Sequence, residues 1–354
     1  MNEIKIPDDL LNDKGELKHC GFSRHMLLKY DRNMIKASAF RIKEWDYYLI
    51  YNSNYALALT MADNSYMALL SASVIDFKVP KEKTTSIITW FPMGKLNQNY
   101  NTKQRLNMPS SSEVGDIYFK NKKCDFRFMH DDKNRSLYCY IKNFNGKNDL
   151  EANIVLSSEP KDNMVIATPF KENKKAFYYN QKIVGFKASG TVSVGENTFE
   201  FKPANSFGLL DWGRGVWTYK NTWYWGAACG KLEDGNYFGF NIGYGFGDTS
   251  NATENMLFFN GKAHKLEDVT FNIPKTKNGK DDFLSPWTFT SNNKKFEMEF
   301  KPIINRHSDT NALILRSNQN QVFGEFSGYA VLEDGTKVEV KNFLGFAEKV
   351  YNKW

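Results

Sequence analysis

Asp211 and Arg214 stand three residues apart in LLDWGRGVWTYKNTWYWGAACG, residues 209–230, a stretch that also holds Trp212, Trp217, Tyr219, Trp223 and Trp225. An acid set among aromatic side chains is poorly solvated. Burial raises its pKa, and an acid so raised can deliver a proton near neutral pH. Arginine offers a planar fork that grips a carboxylate or phosphate. Only nine arginines occur against 38 lysines, which singles out Arg214. The same residues also have plainer uses. Asp211 and Arg214 can tie a turn together as an ion pair, with Gly213 and Gly215 supplying backbone freedom, and the tryptophans can simply fill a core.

A second cluster lies in DTSNATENMLFFNGKAHKL, residues 248–266, with Glu254, Asn255 and His264. Glu254 reads either as the partner of Asp211 in an acid and base pair or as a capping residue at a helix start. His264 follows the Asn260–Gly261 pair and reads as a turn residue or a site residue. Arg214 and Asn241 are expected to orient a polar head group, so Arg214→Lys should keep the fold and weaken ligand binding. EWDYY at 44–48 puts Glu44, Asp46 and Tyr48 on one strand face, where a solvated sheet edge is the simpler reading.

Other chemistries lack their motifs. The chain has no Walker loop, no G-x-S-x-G elbow, no H-E-x-x-H and no dinucleotide fingerprint. The net charge of +7 comes from lysines spread over 354 residues, without the basic stripe that nucleic acid requires. Cys20, Cys124, Cys139 and Cys229 stand far apart, with no C-x-x-C pair and no histidine at ligand spacing. Neither a metal, a cofactor nor a disulfide framework is therefore expected. The charged N-terminus and the lack of a run of about 18 apolar residues point to a cytoplasmic protein without a transmembrane segment. Nothing in the sequence sets the oligomeric state.

The elements that carry these residues read as strands. Aromatic residues reach 15% and favour sheets. After the opening stretch, Phe238, Phe240, Ile242, Tyr244 and Phe246 alternate with Tyr237, Gly239, Asn241, Gly243 and Gly245. The glycine face implies close approach of another backbone or a ligand, or barrel curvature. The closing LGFAEKVYNKW, with Phe346, Val350 and Trp354 four apart, is the best short helix candidate.

Two ungapped matches suggest that the chain contains one pattern twice. NQKIVGFKASG at 180–190 matches NQNQVFGEFSG at 318–328, and GLLDWGRGVW at 208–217 matches GFAEKVYNKW at 345–354. Gly208, Asp211 and Trp217 thus correspond to Gly345, Glu348 and Trp354. Each block adjoins a hairpin signature. The expected organisation is a β-barrel domain over 1–217, with surface insertions near 91–120 and 145–175, and a duplicate over 218–354.

The blocks EWDYY, KKAFYYNQKIVGFKASG, LLDWGRGVW, NTWYWGAACG and the closing LEDGTKVEVKNFLGFAEKVYNKW together resemble the domain of unknown function 2804 family. More distantly, the duplicated β pattern resembles the tandem lipocalin-like architecture of hydroxyneurosporene synthase, AttH and tocopherol cyclase. The resemblance implies an all-β fold of two related lipocalin-like antiparallel barrels or half-open sandwiches with few short helices. It also implies a pocket near the domain junction, where those relatives use acid residues to protonate or cyclise an alkene in a long apolar ligand. This chain has DWGRG where they carry an Asp-His-Asn-Trp-Gly type of signature, so the pocket carries over and the mechanism does not.

Three readings follow. The first is binding, with or without acid-catalysed conversion, of a hydrophobic lipid or isoprenoid-like molecule, using Asp211 or Glu254 as proton donor where conversion occurs and the tryptophans as wall. The second is a carbohydrate-binding or carbohydrate-active protein with a tryptophan platform and paired carboxylates. The third is a structural protein with no small-molecule ligand.

Overall fold

Short turns rich in Asn, Asp and Gly separate the apolar runs, so successive strands fold back on one another and build antiparallel ladders. The computed structural model describes residues 1–131, 133–312 and 315–353. Most of its strands form two large curled sheets, one after the other along the chain, and two short pairs, Asp8–Asp9 with Leu28–Lys29 and Asn97–Gln98 with Arg105–Leu106, stand apart from them.

The first sheet contains β1 (Ile42–Tyr51), β2 (Tyr55–Asp63), β3 (Met67–Asp76), β4 (Lys81–Trp90), β5 (Ile117–Lys120), β6 (Cys124–His130), β7 (Arg135–Ile141), β8 (Leu150–Ser157), β9 (Asn173–Val194) and β10 (Phe207–Val216). Its order is β5-β6-β7-β8-β9-β10-β1-β2-β3-β4, and the short strands Gly21–Ser23, Met164–Phe170 and Asn197–Phe201 join from the side. The second sheet contains β11 (Lys220–Lys231), β12 (Tyr237–Tyr244), β13 (Met256–Phe259), β14 (Lys262–Lys265), β15 (Val269–Asn272), β16 (Trp287–Ser291), β17 (Phe296–Ala312), β18 (Leu315–Val331) and β19 (Lys337–Lys353). Its order is β14-β13-β12-β11-β19-β18-β17-β16-β15. The fold is all-β, two lipocalin-like antiparallel sheets in tandem. Among the described residues its helices are two 3-10 turns, Arg32–Met34 and Ala39–Arg41. None there is long and apolar enough to cross a membrane.

Each sheet curls around its own core. Leu49, Leu59, Phe126, Leu156 and Phe186 are buried in the first, and Phe240, Trp287, Phe300 and Phe326 in the second. The sheets then meet face to face along a seam. Tyr51 Oη donates to Cys229 O at 2.9 Å, Phe77 packs on Phe323 at 5.5 Å between ring centres, and the Tyr47 hydroxyl lies 3.4 Å from Gln321 Oε1.

One position of the ungapped matches, Gly190 and Gly328, occupies a like place in the two ladders. Gly190 pairs with Ile154 of β8 and Gly328 with Met298 of β17, at φ +133 and +148. An added Cβ would stand 2.0 Å from Asn153 O in one and 2.2 Å from Glu297 O in the other, so the close-packed backbone admits only glycine at both.

Four local expectations are corrected. The closing segment is not a helix: residues 337–353 form β19, because cross-strand pairing with both β11 and β18 outweighs a weak four-residue period. Trp354, the last residue of that pattern, lies outside the described residues. Residues 145–175 are not a surface excursion, since they supply β8, with Leu150, Ala152, Ile154 and Leu156 buried, and the paired strand Met164–Phe170. Residues 91–120 likewise reach inward, where Leu96 and Met108 are buried and the Pro109 and Ser112 carbonyls accept from Arg214 and Arg135. Finally, β1 is a central strand. Glu44 takes Tyr30 Oη at 2.8 Å and pairs with Arg32, and Asp46 pairs with Arg214, so neither acid sits at a solvated edge.

Candidate functional site

Side chains two apart on a strand share a face. On β10 this rule splits the DWGRG element, placing Asp211, Gly213 and Gly215 on the seam face and Trp212 and Arg214 in the first sheet's interior. The expected ion pair between Asp211 and Arg214 does not form, because the element is extended strand rather than turn. Asp211 pairs instead with Lys182 of β9, Oδ1 to Nζ 2.8 Å, and accepts from Asn180 Nδ2 at 2.6 Å. Lys182 and Asp211 are directly opposite in the ladder, which is why the strands bring them together.

The second sheet supplies the rest. The Trp225 ring lies over Lys182 Nζ at 3.9 Å, and its Nε1 donates to Asn241 Oδ1 at 2.7 Å. Asn241 Nδ2 donates to the Glu254 carbonyl at 2.8 Å. Glu348 of β19 accepts from Trp223 Nε1 at 3.1 Å and from Gln321 Nε2 at 3.2 Å. Asp211, Glu254 and Glu348 are all buried.

The electrostatics show that these groups act on one another. Burial pushes the Glu348 carboxyl up to about 7; Trp223, Arg306 and Lys182 restrain it, while the Asp211 charge pushes further. Burial also raises Glu254, with Lys182 opposing and Asp211 adding. Tyr178 of β9 is held well above its usual range by burial, and after that by the charges of Glu254, Asp211 and Glu348 together. Three carboxylates thus share the field of one lysine in a place where water is scarce. Asn180 Oδ1 is buried with no hydrogen-bond partner among the described residues, leaving an acceptor beside Asp211.

An aromatic wall closes one end of this cluster. Trp217 packs edge-on against Trp45, Trp223 and Phe246, at 5.3, 5.8 and 4.8 Å between ring centres, and Trp45 stacks on Tyr178 at 5.9 Å. At the other end of the seam a groove of 950 Å³ opens between Tyr51, Phe207, Cys229 and Phe343, with Lys231, Glu233 and Lys337 among its lining.

The glycine face of β12 has a direct cause. An added Cβ on Gly239 would stand 3.2 Å from Val184 Cγ1 of the other sheet, and one on Gly243 would stand 2.7 Å from Glu254 Oε1. The glycines admit the first sheet and the Glu254 carboxylate to the backbone.

Of the residues singled out in the sequence, Asp211, Glu254, Asn241, Trp223 and Trp225 come together in the cluster, and Trp217 borders it. The others do not. Arg214 is fully buried in the first sheet's interior, where it donates to Asp46 Oδ1, Trp45 O, Gly213 O and Pro109 O and stacks on Trp212 at 4.3 Å. Its donors are turned to protein acceptors. Trp212 shares that interior and packs on Tyr179. Asn255 pins the loop before β13, accepting from Gly243 N at 2.6 Å and donating to Glu267 O at 2.7 Å; no helix starts there for Glu254 to cap. His264 is buried with Nδ1 3.4 Å from the Glu333 amide. Tyr219 is 40% exposed, between Arg41 and Lys353.

Lys182, Asn180, Tyr178 and Gln321 belong to the cluster and were missed in the sequence. Lys182 had a signal, since a lone charge inside AFYYNQKIVGF asks for a buried partner. Glu348 had another, as the residue that matches Asp211 in the second block.

Among curated proteins none matches the chain. Solved structures resemble it in fold. An AttH from Nitrosomonas europaea has a TM-score of 0.52 at 10% identity, covering 91% of this chain and 96% of that one. Kievitone hydratase from Nectria haematococca has a TM-score of 0.46 at 11% identity, covering 99% and 98%, and CghA with Sch210972 has 0.41 at 10%, covering 98% and 97%. The AttH likeness shows the shared lipocalin-like tandem architecture and nothing of activity. Over residues 1–354 the chain belongs to the family described as domain of unknown function, DUF2804.

Proposed function

We propose that the chain binds a hydrophobic small molecule, of lipid or isoprenoid type, at the seam between its two sheets and transfers a proton to an unsaturated carbon of it. The observation that carries this reading is the gathering of Asp211, Glu254 and Glu348 around Lys182, with Glu348 held near 7. An acid with that pKa is protonated in about half of the molecules at neutral pH and gives the proton up readily. The carbocation so formed would face carboxylates and aromatic rings, both of which stabilise positive charge. Glu348 therefore takes the role of proton donor, Glu254 and Asp211 that of the surrounding negative charge, and Asn180 Oδ1 accepts from a hydroxyl or an incoming water. In a hydration, water bonds to the cation and returns its extra proton to the Glu348 carboxylate. In a cyclisation, a second double bond closes the ring on the cation and a neighbouring carbon loses a proton to that carboxylate, so either conversion regenerates the acid.

The supporting organisation is a domain over 1–217 and a related one over 218–354. Sheet strands end at Val216 and resume at Lys220, and Gly190 and Gly328 serve alike. We place the protein in the cytoplasm, where its four free cysteines would stay reduced. The sugar reading has less support, because Trp212 and Trp225 are buried and present no open ring face.

The test is to incubate the protein with a panel of polyene and isoprenoid alcohols in deuterated water and follow the products by mass spectrometry. One deuteron fixed on carbon per turnover, lost with Glu348→Gln, is the expected result. Conversion without carbon-bound deuterium, or unchanged in Glu348→Gln, would remove the proposed acid. If no member of the panel raises the melting temperature, binding of this ligand class fails as well.

A further inference from the structure

The seam face of the first sheet does not stop at the aromatic wall. Directly opposed residues in a ladder point to the same side, and Trp45, Ala62, Leu69 and Ile88 oppose one another in turn across β1, β2, β3 and β4. The wall that stacks on Tyr178 is thus continuous with the outer face of the edge strand β4. There the apolar surface lies open. Ile88 is 48% exposed, Trp90 60% and Phe91 61%, and Trp90 stands on the same side as Ile88, two residues on.

More exposed apolar surface collects at this end of the sheet. Phe91 N donates to Tyr66 O, and Tyr66 covers the Lys43 ammonium, which also bonds Phe40 O. Phe40 itself is 53% exposed. Phe91 holds φ 53 and Met93 φ 54, left-handed conformations that cost residues other than glycine. The surrounding charge is basic. Lys95 and Lys220 are exposed, and Arg41 and Lys353 flank the Tyr219 ring. Glu44 and Asp63, at the β1 and β2 termini of this end, are buried.

Exposed Trp and Phe together with exposed lysines at this end match the chemistry of an anionic bilayer surface, where aromatic rings sit among headgroups and cations meet acidic lipids. A second copy of this chain, itself carrying a net charge of +7, is disfavoured by this sign of charge. We propose that this end of the first sheet, around Trp90, Phe91 and Phe40, docks on an anionic lipid bilayer, so that an apolar ligand passes from the membrane along the Ile88–Leu69–Trp45 face to the seam. The polar rim of the groove at the opposite end suits water rather than such a ligand. The docking stands on the surface alone; the passage of ligand rests on the function proposed above.

Co-sedimentation with phosphatidylcholine vesicles, with and without phosphatidylserine, tests the docking. The full chain should sediment with the serine-containing vesicles and be released by salt. Trp90→Ser/Phe91→Ser, both exposed and therefore compatible with folding as checked by melting temperature, should weaken the association by about tenfold or more. Lys95→Glu should weaken it by about fivefold. Failure of the wild type to sediment with either vesicle, or wild-type sedimentation of the double variant, overturns the proposal. A wild-type dimer that becomes monomeric in the double variant would assign the patch to a second copy instead. Glu348→Gln should sediment like the wild type, so loss of proton transfer and loss of docking are read separately.

Discussion

Lys182 Nζ stands 2.8 Å from Asp211 Oδ1, and both residues are buried at the seam. The pair is made within one sheet, but the Trp225 ring that seals it comes from the other, so the charge pair and the packing of the two sheets depend on each other.

Lys182→Met leaves the Asp211 carboxylate buried with only Asn180 to bond it. The expected loss is about 3–5 kcal/mol, the usual result of removing one partner from a buried pair. Urea denaturation measures it, and Lys182→Met/Asp211→Asn should regain much of the loss. A single-variant loss well under 1 kcal/mol would mean that water reaches the pair.

Glu348 should make stability fall as pH rises. Its folded pKa, about 7, lies above the ordinary 4.5, so the folded protein holds the proton more tightly than the unfolded chain. The contribution is fully present below 4.5 and is lost as pH rises through the folded value. The full span is roughly 3 kcal/mol, and Glu254 adds in the same direction. Denaturation at pH 5 and pH 8 should therefore show Glu348→Gln gaining on the wild type at the higher pH; equal slopes for the two proteins would contradict the raised pKa.

Arg214→Lys is now expected to act on folding, not on ligand. A lysine cannot reach Asp46, Trp45 O and Pro109 O together, and the loss should be about 2–4 kcal/mol. Thermal or chemical unfolding measures that cost. Isothermal titration with a bound ligand should give an affinity close to wild type, and a large drop in affinity with intact stability would restore a binding role.

Gly243→Ala should disturb the site without touching a charge. The new Cβ would meet Glu254 Oε1 at 2.7 Å and Tyr224 O at 2.8 Å, and the second contact is backbone that yields little. We expect a loss of about 1–3 kcal/mol and reduced conversion, because Glu254 must move. A variant as stable and as active as the wild type would show that the carboxylate has room.

Much of the fold was legible in the residues. The alternation in YFGFNIGY, the turns at LEDGN and LEDGT and the high aromatic content all pointed to paired strands, and a period of two survives any tertiary context in which one face is buried. The closing helix was misread because a four-residue spacing over so few residues is weak beside two flanking ladders. Site residues were legible in part for a related reason. Asp211, Glu254 and Asn241 stood out as polar groups in apolar surroundings, yet which acid meets which base depends on strand register, and register is set between segments far apart in the chain.

The sequence by itself determined the local rules: strand against turn, the face of β10 that carries Asp211, and the glycines that only a close backbone approach explains. The tertiary structure alone decided partners. It turned Arg214 inward to Asp46 and Pro109, gave Asp211 to Lys182, and brought Glu254 and Glu348 to the same seam from two places 94 residues apart in the chain. The physical reason is that burial and Coulomb interaction depend on distance in space, and for these side chains that distance is fixed by how two sheets pack.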